Sequence, residues 1–382
     1  MIVRDRSSDR TPRPPVVVLF GGRSAEHDVS VVSGTDVAAA LADAGLEVDQ
    51  VLIGLAGDWW WLPAGHRRDG RSAAAYDRPG SIGASGPFGP GAALERLSTS
   101  EPRPLIFIAL HGPGGEDGAI QGLLETAGLC YTGAGVAASA VGMDKALFKR
   151  TIRGCGLPVV DWLEVPAHRW AAARDAVLAE LDAFASAGHD ARLMVKPARL
   201  GSSVGTTLAH RPPERGPAID HALRYDTLAI VERYIAGGRE LEVAVLGNDA
   251  ARLEIHGPGE IMSGHEFYDY AAKYTPGLSE TSTRAELEPR VRERVRDLAA
   301  DAYRTIGVEG FARVDFLIAS DGSVFISEIN TIPGFTPISL FPALPAEDGL
   351  SYVDVCLRVV DLAIDRCREG ERPMLTSQDL YR

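Results

Sequence analysis

Asp315, Glu328 and Asn330 are the residues from which chemistry can first be argued. They lie in the stretch from Phe311 to Gly334, where two apolar runs, Val314 to Ala319 and Val324 to Ile329, flank Ser320-Asp-Gly-Ser323. Apolar, β-rich runs around an Asp-Gly turn predict a β-hairpin. Glu328 and Asn330 are two apart and so share one face of a strand; Arg313 and Asp315 do the same on the other strand. Hard oxygen donors with few carboxylates suit Mg²⁺, which keeps waters and takes its remaining ligands from phosphates. A solvated polar face is the plainer reading. The flanking apolar residues argue against it, because they bury the hairpin and a buried carboxylate without a partner is costly.

Further segments acquire meaning beside this hairpin. Lys196-Pro-Ala-Arg-Leu-Gly201-Ser202-Ser203-Val-Gly205 follows a strand-like run. Its Gly and Ser residues let backbone N–H groups turn over phosphate oxygens, with Lys196 as a point charge; no Gly-Lys-Ser/Thr closes it, so it is not a Walker A loop. Lys145 opens a predicted helix, where a cation is mildly disfavoured by the dipole, and an anion is one reason to keep it there; a surface lysine is the simpler account. Val231-Glu232-Arg-Tyr-Ile235, leading into Gly237-Gly-Arg-Glu240, can offer backbone groups to a purine and a carboxylate to a ribose, or can be an ordinary linker. His265 to Gly277 carries Tyr268, Tyr270, Lys273 and Tyr274 in a Gly-bounded loop that could close over a site. Gly21 to Ser30, with Glu26, and His111 to Gly118 read on their own as a polar turn and a loop.

The elements that must position these residues follow from periodicity and punctuation. Val16 to Phe20, a Gly-Gly turn, a helix from Ser30 to Ala44 and a strand from Val48 to Leu55 begin a parallel α/β layer. Leu105 to Leu110 is a further buried strand. Glu26 and His111 fall just past the ends of such strands, where α/β sheets place ligands. Residues 64–104, rich in Gly, Ser, Ala and Pro, read as a long irregular insertion with room for one short helical piece. Later come a helix from Asp144 to Gly154, an Ala-rich helix from Ala171 to Ala187, strands at Arg192 to Pro197, Leu228 to Tyr234 and Glu240 to Leu246, and a helix starting near Pro289 and stopping at Gly307.

The 382 residues suffice for two or three domains, and 45% hydrophobic composition supports real cores. A net charge of −13 argues against nucleic acid or an anionic membrane as the main partner. No apolar run approaches the ~18 residues of a membrane span, and Met1 to Pro15 lacks the apolar centre of a signal peptide. Cys130, Cys155, Cys356 and Cys367 are scattered, which predicts reduced thiols in a cytosol.

Taken together, Gly21–Ser30, Ala109–Gly118, Met143–Lys145, Lys196–Gly205, Phe267–Tyr274 and Arg313–Leu340 resemble, in order, the motifs of the ATP-grasp D-alanine–D-alanine ligases of bacterial cell-wall synthesis. The resemblance runs from about Val16 to about Cys367. It implies an α/β, three-domain ATP-grasp fold: a floppy tail at 1–15, an N-terminal parallel-sheet domain at 16–141 binding substrate, a central ATP-grasp subdomain at 142–235, and a C-terminal one at 236–382 carrying the metal site and lid. It also implies ATP-dependent, ADP-forming ligation in the cytoplasm and a homodimer. Carried over, Lys145 and Lys196 contact ATP phosphates, Ser202 and Ser203 belong to the phosphate-covering loop, Glu232 meets the adenine amino group, Glu240 the ribose and Lys273 the transferred phosphate. Asp315, Glu328 and Asn330 hold two Mg²⁺ (or Mn²⁺) ions. Glu26, helped by His111, holds the ammonium of the first D-alanine; Arg313 and the Gly334 N–H stabilise an oxyanion; Ser339 takes the carboxylate of the second D-alanine. Tyr274 joins Glu26 and Ser202 in a network. Asp28 stands where the family often has Glu, and Gly237-Gly238 is one residue longer than usual ahead of Glu240. A D-alanine–D-lactate ligase, another ATP-grasp peptide ligase and a non-catalytic nucleotide-binding regulator are the competing readings. The first lacks the Tyr268-to-Tyr274 pattern, and the last has no need of the metal triad.

Overall fold

The computed structural model describes residues 13–188, 190–263 and 279–370. Three sheets organise them. The first has the order β4-β3-β2-β1-β5, built from β1 (Val16–Gly21), β2 (Val48–Ile53), β3 (Trp59–Trp61), β4 (Ser85–Phe88) and β5 (Leu105–Ile108). β1 runs parallel to both β2 and β5, as the strand–helix–strand pattern predicts, and every residue of β1 is buried. Helix α1 (His27–Asp43) crosses between β1 and β2. It packs so closely that a methyl group added at Gly34 would lie 2.4 Å from the Phe20 side chain.

Just before residue 64, the tryptophans of β3 pair antiparallel with β2. Within 64–104 the short helical piece is α2 (Pro90–Ser98), and the departure from an irregular insertion is β4, which pairs with β3. The turn at Gly57-Asp58 is a hairpin bend that carries the sheet on from β2 to β3. The aromatic β3 buries Trp59 and Trp61 against the core on that side.

Short helices α3 (Ala119–Thr126), α4 (Val136–Met143) and α5 (Lys145–Gly154) lead to the second sheet. That sheet is antiparallel, in the order β6-β9-β7-β8: β6 (Trp162–Pro166), β7 (Leu193–Pro197), β8 (Thr207–Ala209) and β9 (Leu228–Arg233). The predicted Ala-rich helix is two helices, α6 (Ala167–Ala172) and α7 (Arg174–Ser186), broken where Ala173 takes φ −145°. α8 (Pro212–Ala222), not foreseen, covers the same face. The third sheet is also antiparallel, β12-β11-β10-β13-β14, from β10 (Arg239–Leu246), β11 (Glu254–Ser263), β12 (Ser279–Ser282), β13 (Phe311–Ile318) and β14 (Val324–Asn330). α9 (Pro289–Thr305) packs on it through Val295, Leu298 and Ala302 and starts with the expected proline.

After the four-residue α10 (Leu340–Ala343), the last helix, α11 (Tyr352–Gly370), returns to the first sheet. Val355, Val359 and Val360 join Val16, Phe20 and Leu41 in one core. Arg366 donates to the carbonyls of Tyr131 and Gly133, and Cys367 forms a disulfide with Cys130. That pairing corrects the expectation of four reduced thiols. The two cysteines are 237 residues apart in sequence, and only the return of α11 brings their Cα atoms to 6.0 Å. Cys155 and Cys356 are free.

Candidate functional site

The predicted hairpin is β13 and β14. Register pairs Arg313 with Asn330 and Asp315 with Glu328, and a bulge follows Asp315. The alternation thus sets all four polar side chains on one face. Asn330 Nδ2 donates to Asp315 Oδ2 at 2.9 Å, and Arg313 grips Asp315 with two hydrogen bonds of 2.7 Å. Arg313 Nε also lies 3.2 Å from Glu242 Oε1 on the neighbouring β10. Burial works against the Arg313 charge, but Asp315 and Glu242 outweigh it and hold the guanidinium firmly protonated. Among the described residues no cluster of three His, Cys, Asp or Glu side chains is gathered to hold a metal. The hairpin offers two carboxylates and an amide oxygen instead, a hard and sparse donor set that fits Mg²⁺ completed by phosphate oxygens and water.

Lys145 is the first residue of α5, capped by Asp144, whose Oδ1 accepts from the Leu147 N–H. Its Nζ donates to the Leu200 carbonyl at 2.7 Å and sits 3.1 Å from Glu328 Oε2. It therefore joins the 196–205 loop, expected to cover phosphate, to the hairpin. In that loop Ser202 and Ser203 both take left-handed backbone angles, φ 50° and 55°. Non-glycine residues adopt this region where the surroundings hold them there.

Glu26 sits just before α1, at the end of β1. Its carboxylate accepts from Ser202 Oγ, across from the first sheet to the phosphate loop. A methyl group on Gly112 would meet Glu26 Oε2 at 2.5 Å, and one on Gly201 would meet it at 2.9 Å. Two glycines thus make the slot that holds this carboxylate. His111 is buried, with Nδ1 3.0 Å from the Ile332 carbonyl and Nε2 3.1 Å from Ser33 Oγ. Nδ1 therefore donates and Nε2 accepts. Burial lowers its pKa despite the pull of Glu26, so the ring is neutral and braces the 332–335 turn against α1.

Glu116 accepts from the Gly112 N–H at 2.8 Å. Burial, reinforced by Glu26, pushes its pKa up to about 8. At neutral pH it is therefore a neutral acid. Across the cavity, Gly334 lies close to Ser339, whose Oγ pairs with the Thr336 hydroxyl at 2.8 Å.

Glu232, on β9, is buried between two lysines. Lys149 Nζ and Lys196 Nζ each lie 2.7 Å from one of its oxygens. Burial alone would raise the Glu232 pKa; the two cations more than reverse that and bring it down to about 2. Glu240 lines the same cavity from the start of β10.

These groups line two adjoining cavities. The first takes in Lys196, Ser203, Glu232 and Glu240 between the second and third sheets; the second takes in Glu26, His111, Asn330, Gly334 and Ser339. Lys145, Ser202, Arg313 and Glu328 line both. Of the residues singled out in the sequence, Lys273 and Tyr274, with the rest of the loop from His265 to Gly277, lie outside the described residues. The remainder come together. Sequence reasoning missed Glu116, Lys149 and Glu242. Glu242 follows Glu240 at strand spacing and Lys149 follows Lys145 at helix spacing, so each shares a face with a residue already chosen. Glu116 carried no such mark.

Two antiparallel sheets that enclose a cavity between a Gly- and Ser-rich loop and a carboxylate-bearing hairpin, beside a parallel-containing sheet, are the architecture of the ATP-grasp class of ligase folds. Residues 15–134 match the family described as D-ala D-ala ligase N-terminus, and residues 151–361 match D-ala D-ala ligase C-terminus. The chain belongs to this family of ATP-dependent, divalent-metal-using ligases. The D-alanine–D-alanine ligase of Heliobacterium modesticaldum is 40% identical over 367 residues, covering 94% of this chain and 96% of that one. The solved D-alanine–D-alanine ligase of Coxiella burnetii is 32% identical with a TM-score of 0.73, covering 94% and 96%. The VanG D-Ala:D-Ser ligase of Enterococcus faecalis is 28% identical with a TM-score of 0.77, covering 92% and 100%.

Proposed function

We propose that this protein joins two molecules of D-alanine to D-alanyl-D-alanine in the cytoplasm, for peptidoglycan precursor synthesis, with ATP split to ADP and phosphate. The observation that carries the reading is the wall shared by the two cavities. A nucleotide in the first would direct its terminal phosphate toward Lys145, Ser202, Arg313 and Glu328, the same groups that face an amino acid in the second.

A carboxylate is a poor acylating agent. Attack by the first D-alanine carboxylate on the terminal phosphorus releases ADP and leaves an acyl phosphate. The second D-alanine, once its ammonium has lost a proton, attacks the acyl carbon; the peptide bond forms and phosphate departs. Glu26, anchored by Ser202, takes the first ammonium. Arg313 and the Gly334 N–H receive the developing oxyanion, and Ser339 the second carboxylate. Preorganised donors of this kind supply most of the stabilisation in such a reaction. Asp315, Glu328 and Asn330 would hold two Mg²⁺ ions, which when bound offset the charge of the transferring phosphoryl group. The three-domain division at 141/142 and 235/236 and a homodimeric assembly complete the proposal.

The acceptor is the open choice, because a D-Ala:D-Ser ligase has the same fold. ADP release is measured with D-alanine, with D-lactate and D-serine as acceptors, and with no acceptor. Dependence on D-alanine and Mg²⁺, with D-alanyl-D-alanine the dominant product, supports the reading. Preferential ester formation with D-lactate would replace it.

A further inference from the structure

The second lysine of α5 does something that the proposed chemistry does not call for. Lys149 lies one helical turn beyond Lys145 and is buried, whereas Lys145 reaches both cavities. Lys149 is not part of either cavity wall; it stands behind one. Its Nζ is 2.7 Å from Glu232 Oε1, 3.5 Å from the Val160 carbonyl and 5.7 Å from the centre of the Trp162 ring. Glu232 faces the first cavity beside Met194, its cross-strand partner, and the apolar lining of that cavity also takes in Leu317, on the same face of β13 as Asp315. Its second oxygen is 2.7 Å from Lys196 Nζ.

Lys196 stands next to the phosphate loop and is drawn to phosphate when a nucleotide enters. Glu232 Oε2 then loses its cation and needs a donor. A 6-aminopurine lying in the apolar slot supplies one from its exocyclic amino group. During that exchange Lys149 remains on Oε1. A carboxylate buried among apolar side chains would otherwise face the desolvation penalty alone.

We propose that Lys149 is a positioning residue for base recognition: from behind the cavity wall it holds one oxygen of Glu232, so that the other is presented, still anionic, to the amino group of an adenine ring. The inference rests on the reading of Glu232 as the base-recognising carboxylate. A 6-oxopurine presents a carbonyl oxygen at the same place and is repelled, so the Lys149–Glu232 pair makes the cavity discriminate amino from oxo purines.

Binding of Mg²⁺-ATP and of Mg²⁺-ITP, its 6-oxo analogue, is measured by calorimetry without D-alanine on the wild type, Lys149→Met, Lys149→Arg and Glu232→Gln. Loss of one charge-assisted contact predicts that Lys149→Met weakens ATP binding about tenfold or more and ITP binding by less than about threefold. Lys149→Arg keeps the preference for ATP. General loosening of the fold weakens both nucleotides alike and leaves their ratio intact, so the ratio isolates the proposed role. Should Lys149→Met be insoluble, Lys149→Gln, which retains a donor without the charge, is read by the same ratio. An ATP-to-ITP ratio within about twofold of wild type in the neutral variant overturns the proposal. If Glu232→Gln nevertheless loses the preference, only the role of Lys149 falls; if it too keeps the wild-type ratio, the reading of Glu232 falls with it.

Discussion

Replacing Gly201 with alanine should disable the enzyme without unfolding it. The backbone there is not in the left-handed region, so alanine is acceptable to the chain itself, and a Gly→Ala change at such a site tends to add about 0.4–1 kcal/mol of stability. The added methyl would meet the Glu26 carboxylate at 2.9 and 3.1 Å, where ordinary contact begins near 3.4 Å. The carboxylate must therefore retreat by about half an ångström. Gly112 also lies against this carboxylate, since a methyl there would sit 2.5 Å from Oε2. What yields is the bond from Ser202. A hydrogen bond to a charged group contributes about 1.5–3 kcal/mol, which corresponds to roughly 10- to 150-fold in rate. ADP release against D-alanine concentration, at saturating ATP, should show that loss in kcat/KM, while the thermal midpoint stays at or slightly above wild type. Activity within twofold of wild type would refute the claim that the Glu26 slot is sized by its two glycines. A collapsed melting curve would refute the claim that the clash is confined to the end of one flexible side chain.

Glu328→Gln keeps shape and removes charge from the hairpin face; turnover should fall below about one thousandth of wild type at any Mg²⁺ concentration, with the midpoint shifted by less than about 3 °C. Near-normal turnover at saturating Mg²⁺ would remove Glu328 from the metal site. Glu116 titrates near 8 in the fold and near its ordinary 4.5 when unfolded, so the folded state holds the extra proton between those values and stability declines as pH rises through that window. Glu116→Gln, which keeps an acceptor for the Gly112 N–H, should flatten that decline in urea titrations at pH 5 and pH 8; an unchanged slope would place the proton elsewhere. Cys130→Ser with Cys367→Ser should cost about 2–4 kcal/mol in oxidising buffer, and reductant should destabilise the wild type but not the double variant. Identical wild-type melts with and without reductant would count against a stabilising bridge.

The hairpin was legible because its signal is local. Alternation set Arg313, Asp315, Glu328 and Asn330 on one face, and Asp321-Gly322 marked the turn. Glu26 and the 196–205 loop were legible as motifs; that Glu26 and Ser202 meet came from the family resemblance alone, because no local pattern joins residues that only the packing of separate sheets brings together. Length hid the disulfide in the same way. β4 was obscured by a run of Gly, Ser and Pro, which usually signals a loop; pairing with the tryptophans of β3 supplies what its composition lacks. Lys149 looked like one more helix lysine. Its burial against Glu232 is a tertiary fact, set by how α5 leans on the second sheet.

The return of α11 to the first sheet makes the beginning and end of the described chain a single mechanical piece. Arg13 pairs with Asp361, Val16 shares a core with Val359, and Cys130 is bonded to Cys367. The first sheet is consequently no autonomous module: excised at residue 134, it would expose the apolar surface that α11 covers. A cell making this protein must hold that surface open until some two hundred further residues have left the ribosome. The same closure sets the place of the second sheet, which carries the loop with Ser202 and Ser203: it is an insert between two segments already fastened to each other.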